Sequence, residues 1–340
     1  MARKRTSKKK QKQQKQIVLA VLFIILIAAV GIFGGGEISG LFGHKTNSTP
    51  LAPLVTDEHA FSMHVVDCGQ GDAILLSKDG HFALVDAGET MSPSDREARD
   101  KILAYLESVN VSKLDFVLIT HQDYDHIGSI LDVLKKYPVA TVYDNGVEHT
   151  SATYEKLMTY ILDNGINYEI VREGDKINST WEDVSIEVLS PPQDLIMSGS
   201  SPDINENSIV LKVTYGKVSY LLTGDAGKDA EEYILSTSAN INSDVLKAGH
   251  HGSRTSSSAD FMKAVTPNVV VISVGDGNSY GHPHIEAMNR FVKFTDLIYR
   301  TDIDGDIVVT TDGSVYSVNT RNEHVASREL FAGDGTKVSA

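Results

Sequence analysis

The segment from His121 to His126 constrains the fold of this 340-residue chain more than any other. It contains two histidines and two aspartates in six positions, separated only by Gln122 and Tyr124. Residues 115–120, which come directly before it, are mostly apolar and partly β-branched, and this pattern is typical of a buried strand. A strand that ends in metal-binding side chains holds them on a rigid base. We therefore expect a layered fold with a metal site at this strand end.

The first 58 residues differ in composition from the rest of the chain. Residues 1–16 hold eight basic and no acidic side chains, and residues 17–33 hold no charge and no strongly polar group. Together with the glycines that follow, this apolar stretch is just long enough to span a bilayer, and its basic flank predicts an N-terminus in the cytoplasm. We therefore expect a single-pass protein at the cell membrane, with a basic cytoplasmic tail at 1–16, a transmembrane anchor at 17–36, a linker at 37–58 and the remaining chain outside the cytoplasm. The alternative is a cleaved signal peptide and secretion, although the apolar region of such peptides is usually about 7–15 residues long.

Cysteine content and charge limit how the domain is stabilised and what it binds. Cys68 is the only cysteine, so no disulfide partner is expected within the chain, and an exported domain must be stabilised by its core or by metal. The whole chain carries a net charge of −14 and residues 1–16 contribute +8, which leaves −22 on residues 17–340. A domain this acidic gains little from general attraction to a phosphate backbone. Any polyanionic substrate must therefore be attracted locally, by metal ions.

Strand patterns and helix patterns alternate from residue 61 onward, which is typical of a mixed, layered α/β fold. Strands are predicted near 63–66, 73–76, 82–86, 115–120, 208–215, 218–223, 244–247, 269–273 and 307–310, and helices near 96–109, 128–137, 152–164, 227–236, 258–265 and 284–294. The sequence has no internal repeat and no second domain boundary in this region. We expect one domain at 59–325, followed by a tail at 326–340.

Four later segments carry side chains of the kind found in catalytic sites, each at a strand end or in a turn. They are 205–208 with Asn207 and Ser208, 223–226 with Asp225, 249–253 with His250 and His251, and 280–284 with His282. Imidazole nitrogens and carboxylate oxygens suit zinc or manganese. The four adjacent ligands at 121–126 are too many for one tetrahedral ion, so we expect two divalent ions, Zn or Mn, with Asp225 as the candidate bridge.

The spacing of the residues in 121–126 resembles the metal motif of the metallo-β-lactamase superfamily, with Asp123 where many members have a second histidine. The segments 67–72, 221–225, 246–253 and 280–283 further resemble, in the same order, the hydrolase domain of ComEC-type competence proteins. The resemblance covers about residues 60–320. It implies a four-layer αββα sandwich after the N-terminal transmembrane helix.

The resemblance also implies how six ligands divide between two ions. The first ion would be held by His121 and Asp123, the second by Asp125, His126 and His251, and both by Asp225. The usual third histidine of the first metal position has no clear counterpart. His149 is the only histidine between positions 126 and 225, and its sequence context is poor.

Three residues are predicted to be catalytic: Asp125, His250 and His282. His282 would face the substrate phosphate or protonate the leaving oxygen. His250 is also the less favoured alternative to His251 as a metal ligand. Among the neighbouring charges, Asp72 and Asp86 are expected to support ligands or turns, and Lys247 either to contact a phosphate or to be solvated.

These motifs predict a membrane-anchored, extracytoplasmic metal-dependent hydrolase, a phosphodiesterase or nuclease in which a hydroxide bridging the ions attacks phosphorus. The partner would be a phosphodiester substrate, either DNA, as the competence resemblance suggests, or a cell-envelope polymer. Two alternatives stay open. One is a DNA-uptake or envelope-polymer binding protein without hydrolytic activity, and the other is an acyl hydrolase that cleaves an ester, lactone or lactam.

Overall fold

The structure, a computed structural model, describes residues 59–89, 96–177, 181–324 and 331–338, which form two large β-sheets, a two-stranded sheet of β8 and β9, and flanking helices. The strands are β1 (Phe61–Val65), β2 (Ile74–Lys78), β3 (His81–Val85), β4 (Leu114–Ile119), β5 (Val139–Asp144), β6 (Asn167–Ile170), β7 (Val184–Ser190), β8 (Met197–Ser198), β9 (Ser201–Pro202), β10 (Val210–Tyr215), β11 (Val218–Leu222), β12 (Val245–Lys247), β13 (Val269–Ile272), β14 (Ile298–Arg300), β15 (Ile307–Thr311) and β16 (Tyr316–Thr320).

The helices in these ranges are short and lie mainly between strands. They are α1 (Glu97–Ser108), α2 (Tyr124–Ile127), α3 (Ile130–Lys136), α4 (Ala152–Asp163), α5 (Lys228–Ser236), α6 (Ala259–Val265), α7 (Ile285–Phe291) and α8 (Thr301–Asp304), with a 3₁₀ segment at Gly249–Gly252. Serine side chains determine where two of them begin. Ser151 accepts a hydrogen bond from Tyr154 N at the start of α4, and Ser258 accepts one from Phe261 N at the start of α6.

The two large sheets each contain a parallel half that gathers strand ends on one edge. The eight-stranded sheet has the order β16-β15-β1-β2-β3-β4-β5-β6, and the six-stranded sheet has the order β14-β13-β12-β11-β10-β7. Strands β3 to β6 are parallel neighbours, and so are β11 to β14. Since the carboxyl ends of parallel strands lie at the same edge, the loops after β3 and β4 lie together, and so do the loops after β11, β12 and β13.

Three apolar clusters show the order of the layers. Phe116 and Leu118 of β4 belong to the cluster between the two sheets, whereas Val117 and Ile119 belong to the cluster under α1, α3 and α4. Successive strand residues point to opposite faces, so β4 is buried on both sides, and this explains its continuous apolar sequence. A third cluster joins the outer face of the six-stranded sheet to α5, α6 and α7. The predicted mixed α/β architecture is confirmed, with the layers in the order helix, sheet, sheet, helix.

The predicted location at the cell membrane needs correction. No helix in the described ranges is long and apolar enough to cross a bilayer, and this finding overturns the predicted single-pass membrane location. The expected tail at 1–16, anchor at 17–36 and linker at 37–58 lie outside the described residues.

The predicted C-terminal tail is described at 331–338. There, Gly333 N donates a 2.8 Å hydrogen bond to the carbonyl oxygen of Pro283, and Ala332 is buried. This segment therefore packs against the turn that carries His282.

Candidate metal centre

The 121–126 turn is held in place by Asp86, the first residue after β3. One oxygen of Asp86 accepts a hydrogen bond from Thr120 N at 2.8 Å, and the other accepts one from Thr120 Oγ1 at 2.6 Å. The second oxygen also lies 2.7 Å from His126 Nδ1. Because Asp86 engages Nδ1, the nitrogen of His126 that can bind a metal is Nε2.

A first group of ligand atoms gathers around one oxygen of Asp225. Asp225 Oδ1 lies 3.2 Å from His126 Nε2 and 3.5 Å from His251 Nε2, and His251 Nε2 lies 3.2 Å from Asp125 Oδ2. All four side chains offer ligand atoms within 4.8 Å of one another. Two ligands bound about 2.1 Å from a tetrahedral ion would lie about 3.4 Å apart. The spacing of these atoms therefore suits a single shared cation.

A second group gathers around the other oxygen of Asp225. Asp225 Oδ2 lies 3.4 Å from His250 Nε2 and 4.0 Å from His121 Nε2. His121 Nε2 in turn lies 3.7 Å from Asp123 Oδ2. The carboxylate of Asp225 thus stands between two sets of imidazoles, with one oxygen turned to each.

Buried polar atoms that lack hydrogen bonds indicate whether these residues could bind metal ions. Among the buried side-chain atoms of the described residues that have no hydrogen-bond partner, four belong to the ligand groups: His121 Nε2, His126 Nε2, His251 Nε2 and Asp225 Oδ1. Leaving a buried polar atom unsatisfied costs about 1–3 kcal/mol. Three of these atoms belong to the first group, which therefore fits a divalent ion, and one, His121 Nε2, belongs to the second group, beside the other oxygen of Asp225.

Protonation in the centre is governed by burial and by opposed charges. Burial would raise the pKa of Asp225, but the charges of His251 and His126 hold that pKa well below its usual range. Burial would lower the pKa of His251, but the carboxylates of Asp225, Asp125 and Asp72 raise it to about 10. Without a metal, His251 therefore carries a proton where a ligand must offer a lone pair. A metal that binds His251 must displace this proton.

His250 and His251 have an uncommon backbone conformation. Their φ/ψ angles are 49°/49° and 53°/28°, in the left-handed region. Each such residue costs about 1–2 kcal/mol when it is not glycine. Two contacts hold the segment: His250 N donates to Gly224 O at 3.1 Å, and His251 Nδ1 lies 2.9 Å from Ser273 O. This backbone brings two consecutive imidazoles to opposite oxygens of one carboxylate.

Lys247 lies behind the centre and not in it. Its Nζ lies 2.8 Å from Asp72 Oδ2, and both side chains are buried. Asp72 Oδ1 lies 3.4 Å from His251 Nδ1. Asp72 therefore stands behind His251 as Asp86 stands behind His126. The prediction that Lys247 contacts a phosphate or is solvated is wrong, because Asp72 neutralises it inside the protein.

His282 lies beside the histidine pair. Its ring centroid is 5.5 Å from that of His250 and 6.2 Å from that of His251, and its side chain is buried. Burial, followed by the charges of His251 and His250, lowers the pKa of His282 to about 3. A neutral imidazole can donate a hydrogen bond to a phosphate oxygen but holds no imidazolium proton for a leaving group. Of the two predicted roles, contact with the phosphate suits this environment better.

The remaining predicted residues support the site or lie apart from it. Ser208 Oγ accepts a hydrogen bond from Asp225 N at 3.2 Å and lies 3.4 Å from His121 Nδ1, so it supports two ligands. His149 Nδ1 lies 2.9 Å from Ser151 Oγ at the start of α4 and is not among the ligand groups described above. Asp86 supports the ligand His126, in agreement with the expectation that it supports a ligand or a turn, but its partner could not be named from the sequence. The sequence showed only that Asp86 directly follows an apolar strand, β3.

Comparison with known proteins agrees with the fold. The profile of the Metallo-beta-lactamase superfamily matches residues 66–276, and the chain belongs to that superfamily. It is 30% identical over 272 residues to ComE operon protein 3 of Bacillus subtilis (strain 168), an alignment that covers 76% of this chain and 34% of that protein. It is also 30% identical over 254 residues to Competence protein ComA of Neisseria gonorrhoeae, covering 74% and 33% of the two chains.

The predicted resemblance to competence proteins is thus confirmed, and the chain spans about a third of the length of these relatives. Among solved structures, the metallo-beta-lactamase fold protein YhfI from Bacillus subtilis matches with a TM-score of 0.49 and 14% identity. That match covers 74% of this chain and 100% of the other.

Proposed function

We propose that this chain is a metal-dependent phosphodiesterase with DNA as its first candidate substrate. The observation that carries the proposal is the position of the Asp225 carboxylate, with one oxygen 3.2 Å from His126 Nε2 and the other 3.4 Å from His250 Nε2. A carboxylate shared in this way suits a pair of cations about 3.5–4 Å apart, the arrangement used for displacement at phosphorus. DNA comes first because one of the relatives is named a competence protein.

The protein's own residues would prepare the site for this reaction. When bound, two divalent ions, zinc or manganese, would supply Lewis-acid stabilisation of the charge that develops on the phosphoryl oxygens. The Asp86 carboxylate would orient the ring of His126 and the Ser273 carbonyl oxygen that of His251, and Asp225 would keep the two halves of the centre together. His282 would donate its ring N–H to an oxygen of the substrate phosphate.

The net charge of the chain and its set of metal-ligand residues argue against a protein that binds a polymer without hydrolysing it. Residues 17–340 carry a net charge of −22, so a polyanion would be attracted chiefly by cations in the centre. The buried imidazoles of His121, His126 and His251 each lie within 4.0 Å of an oxygen of the Asp225 carboxylate. A site that had lost its metal would have little reason to keep this arrangement.

The test is hydrolysis of bis(p-nitrophenyl) phosphate by the full chain with added manganese or zinc. We expect activity that chelation removes and metal restores, and an Asp225→Ala rate below about 1% of the original, since several kcal/mol of charge stabilisation would be lost. Asp229→Ala, on the exposed first turn of α5, is the matched control and should keep full activity. Full activity in Asp225→Ala would reject the proposal.

A substrate panel separates the proposal from its alternatives. The metal-loaded chain would be given single-stranded DNA, double-stranded DNA, teichoic acid, p-nitrophenyl acetate and a lactone. Cleavage of one or more phosphodiesters without acyl hydrolysis is the expected result. Acyl hydrolysis alone would reassign the chain to the acyl hydrolases. Two bound ions with no hydrolysis of any substrate would favour a binding role.

A further inference from the structure

We infer that His250 is a ligand of the first metal position, together with His121, Asp123 and Asp225. This assignment rests on the proposed two-ion function and gives His250 a role other than general catalysis. It also answers a question raised by the sequence, which offers no usual third histidine for the first position. Three features of the structure point to the same residue.

The first observation is the division of the Asp225 carboxylate. His251 Nε2 lies 3.5 Å from Oδ1, whereas His250 Nε2 lies 3.4 Å from Oδ2, the oxygen that also faces His121. A separation of about 3.4 Å is the value expected for two ligands of one tetrahedral ion. His250 and His251 are therefore not competitors for one position, because each reaches a different oxygen.

The second observation is the backbone at Gly249–Gly252. Both histidines adopt left-handed angles, with φ of 49° and 53°. A single strained residue would suffice to direct one imidazole into the centre. Strain of this kind persists where the surrounding structure and the function require it. Two successive strained residues are accounted for if both imidazoles have a ligand role.

The third observation concerns the other side chains near His121. Ser208, which precedes β10, has its Oγ 3.4 Å from His121 Nδ1 and 3.2 Å from Asp225 N. A serine hydroxyl engaged in this way braces the ligands from behind. His149 lies against Ser151 and is not part of either ligand group. His250 is thus the imidazole that supplies the missing nitrogen.

Exposure predicts that the two positions differ in affinity. The side chains of His250 and Asp123 are 27% and 42% exposed, whereas that of His251 is 1% exposed. Ligands that water can reach lose more order when they bind and exchange metal more readily. The first position should therefore bind its ion more weakly than the position formed by Asp125, His126 and His251.

The experiment is metal titration of the full chain with Mn²⁺ and with Co²⁺. His250→Gly removes the imidazole and suits the left-handed backbone, since glycine adopts positive φ without strain. We expect the unsubstituted chain to bind two equivalents of metal. His250→Gly should keep the tighter site, while the affinity of the weaker site should fall more than about 100-fold. Loss of a residue that only hydrogen-bonds to a ligand lowers metal affinity by less than this. His250→Asp, which restores a ligand oxygen, should recover the second equivalent.

The control is His282→Ala, which should bind two equivalents because His282 is assigned to the substrate. Circular dichroism and thermal unfolding report whether each variant is folded. Two equivalents with unchanged affinity in a folded His250→Gly would overturn the assignment, and so would an original chain that binds only one ion. If the original chain binds two ions but hydrolyses no phosphodiester, the proposed function fails while the titration still decides the role of His250.

Discussion

Lys247 Nζ lies 2.8 Å from Asp72 Oδ2, and both side chains are buried between the two sheets. Lys247 ends β12 of the six-stranded sheet, and Asp72 lies in the loop between β1 and β2 of the eight-stranded sheet. Lys247 Nζ also donates to Ala248 O at 2.9 Å. The pair therefore joins the two sheets directly behind His251.

Lys247→Met should destabilise the chain by about 3 kcal/mol, because it removes the nearer of the two basic groups that face the buried carboxylate of Asp72, the other being His251. Urea unfolding of the full chain without metal measures this change. Lys263→Met is the control, since Lys263 is exposed on α6 and pairs only with Asp260. The double variant Asp72→Leu/Lys247→Met should recover much of the loss. Equal stability of the two single variants would show that the buried pair contributes nothing.

Gly71→Ala should disturb the metal centre, whereas Gly69→Ala should not. Both glycines have positive φ, 120° and 86°, so both substitutions strain the backbone. Only at Gly71 would the new Cβ meet an obstacle, the carbonyl oxygen of Asp125 at 2.2 Å. We expect Gly69→Ala to cost about 1–2 kcal/mol of stability and to keep its metal affinity. Gly71→Ala should be less stable and bind metal more weakly, and matching isotherms for the two variants would contradict this account of the turn.

Asp86→Asn should weaken metal binding at the position of His126 without unfolding the chain. Asparagine tolerates the left-handed backbone of Asp86, where φ is 58°. It cannot, however, present two acceptor oxygens to Thr120 and His126. Loss of such a partner typically lowers metal affinity by about 10–100-fold. Competition with a chromogenic chelator measures the affinity, with Asp132→Asn on α3 as the control, and unchanged affinity in Asp86→Asn would show that His126 needs no support.

Glu231 on α5 should make stability depend on pH. Burial raises its pKa to about 7 from 4.5, against the opposing effect of the Ser257 and Ser258 N–H donors. The folded state therefore holds this proton more tightly than the unfolded state. The resulting stabilisation is fully present below about pH 4.5 and is lost as pH rises to about 7, by about 3 kcal/mol.

Chemical unfolding of the original chain and of Glu231→Gln, which does not titrate, measures this effect between pH 4.5 and 7.5. The free energy of unfolding of the unsubstituted chain, relative to that of Glu231→Gln, should fall by about 3 kcal/mol between about pH 4.5 and about pH 7.5. Other carboxylates titrate equally in both proteins and cancel. A difference that stays constant with pH would contradict the raised pKa.

The strand β4 and the ligand-rich turn that follows it, residues 114–126, could be predicted because the sequence features that indicate them are local. Four ligand-type residues stand within six positions, and the strand before them is apolar on both faces because both are buried. The predicted helices and strands likewise agree with the structure within three residues at each end. The strands β5 to β9, β14 and β16 and the helices α2 and α8 were not predicted. One of them, β6 (Asn167–Ile170), is short, largely exposed and without alternation of apolar residues.

Contacts between distant segments could not be read from the sequence. A lysine at the end of a strand is usually solvated, and nothing near Lys247 indicates that Asp72, far earlier in the chain, pairs with it. The segment Gly249–Gly252 shows two histidines but not their φ angles, and these angles decide which oxygen of Asp225 each imidazole faces. Such features follow from how the two sheets pack together.

The most direct test of the two-cation centre is anomalous diffraction from manganese-loaded crystals of the full chain. The account predicts two anomalous peaks about 3.5–4 Å apart, on either side of the Asp225 carboxylate. One peak should lie among Asp125, His126 and His251, and the other among His121, Asp123 and His250. A single peak, or peaks away from Asp225, would contradict it.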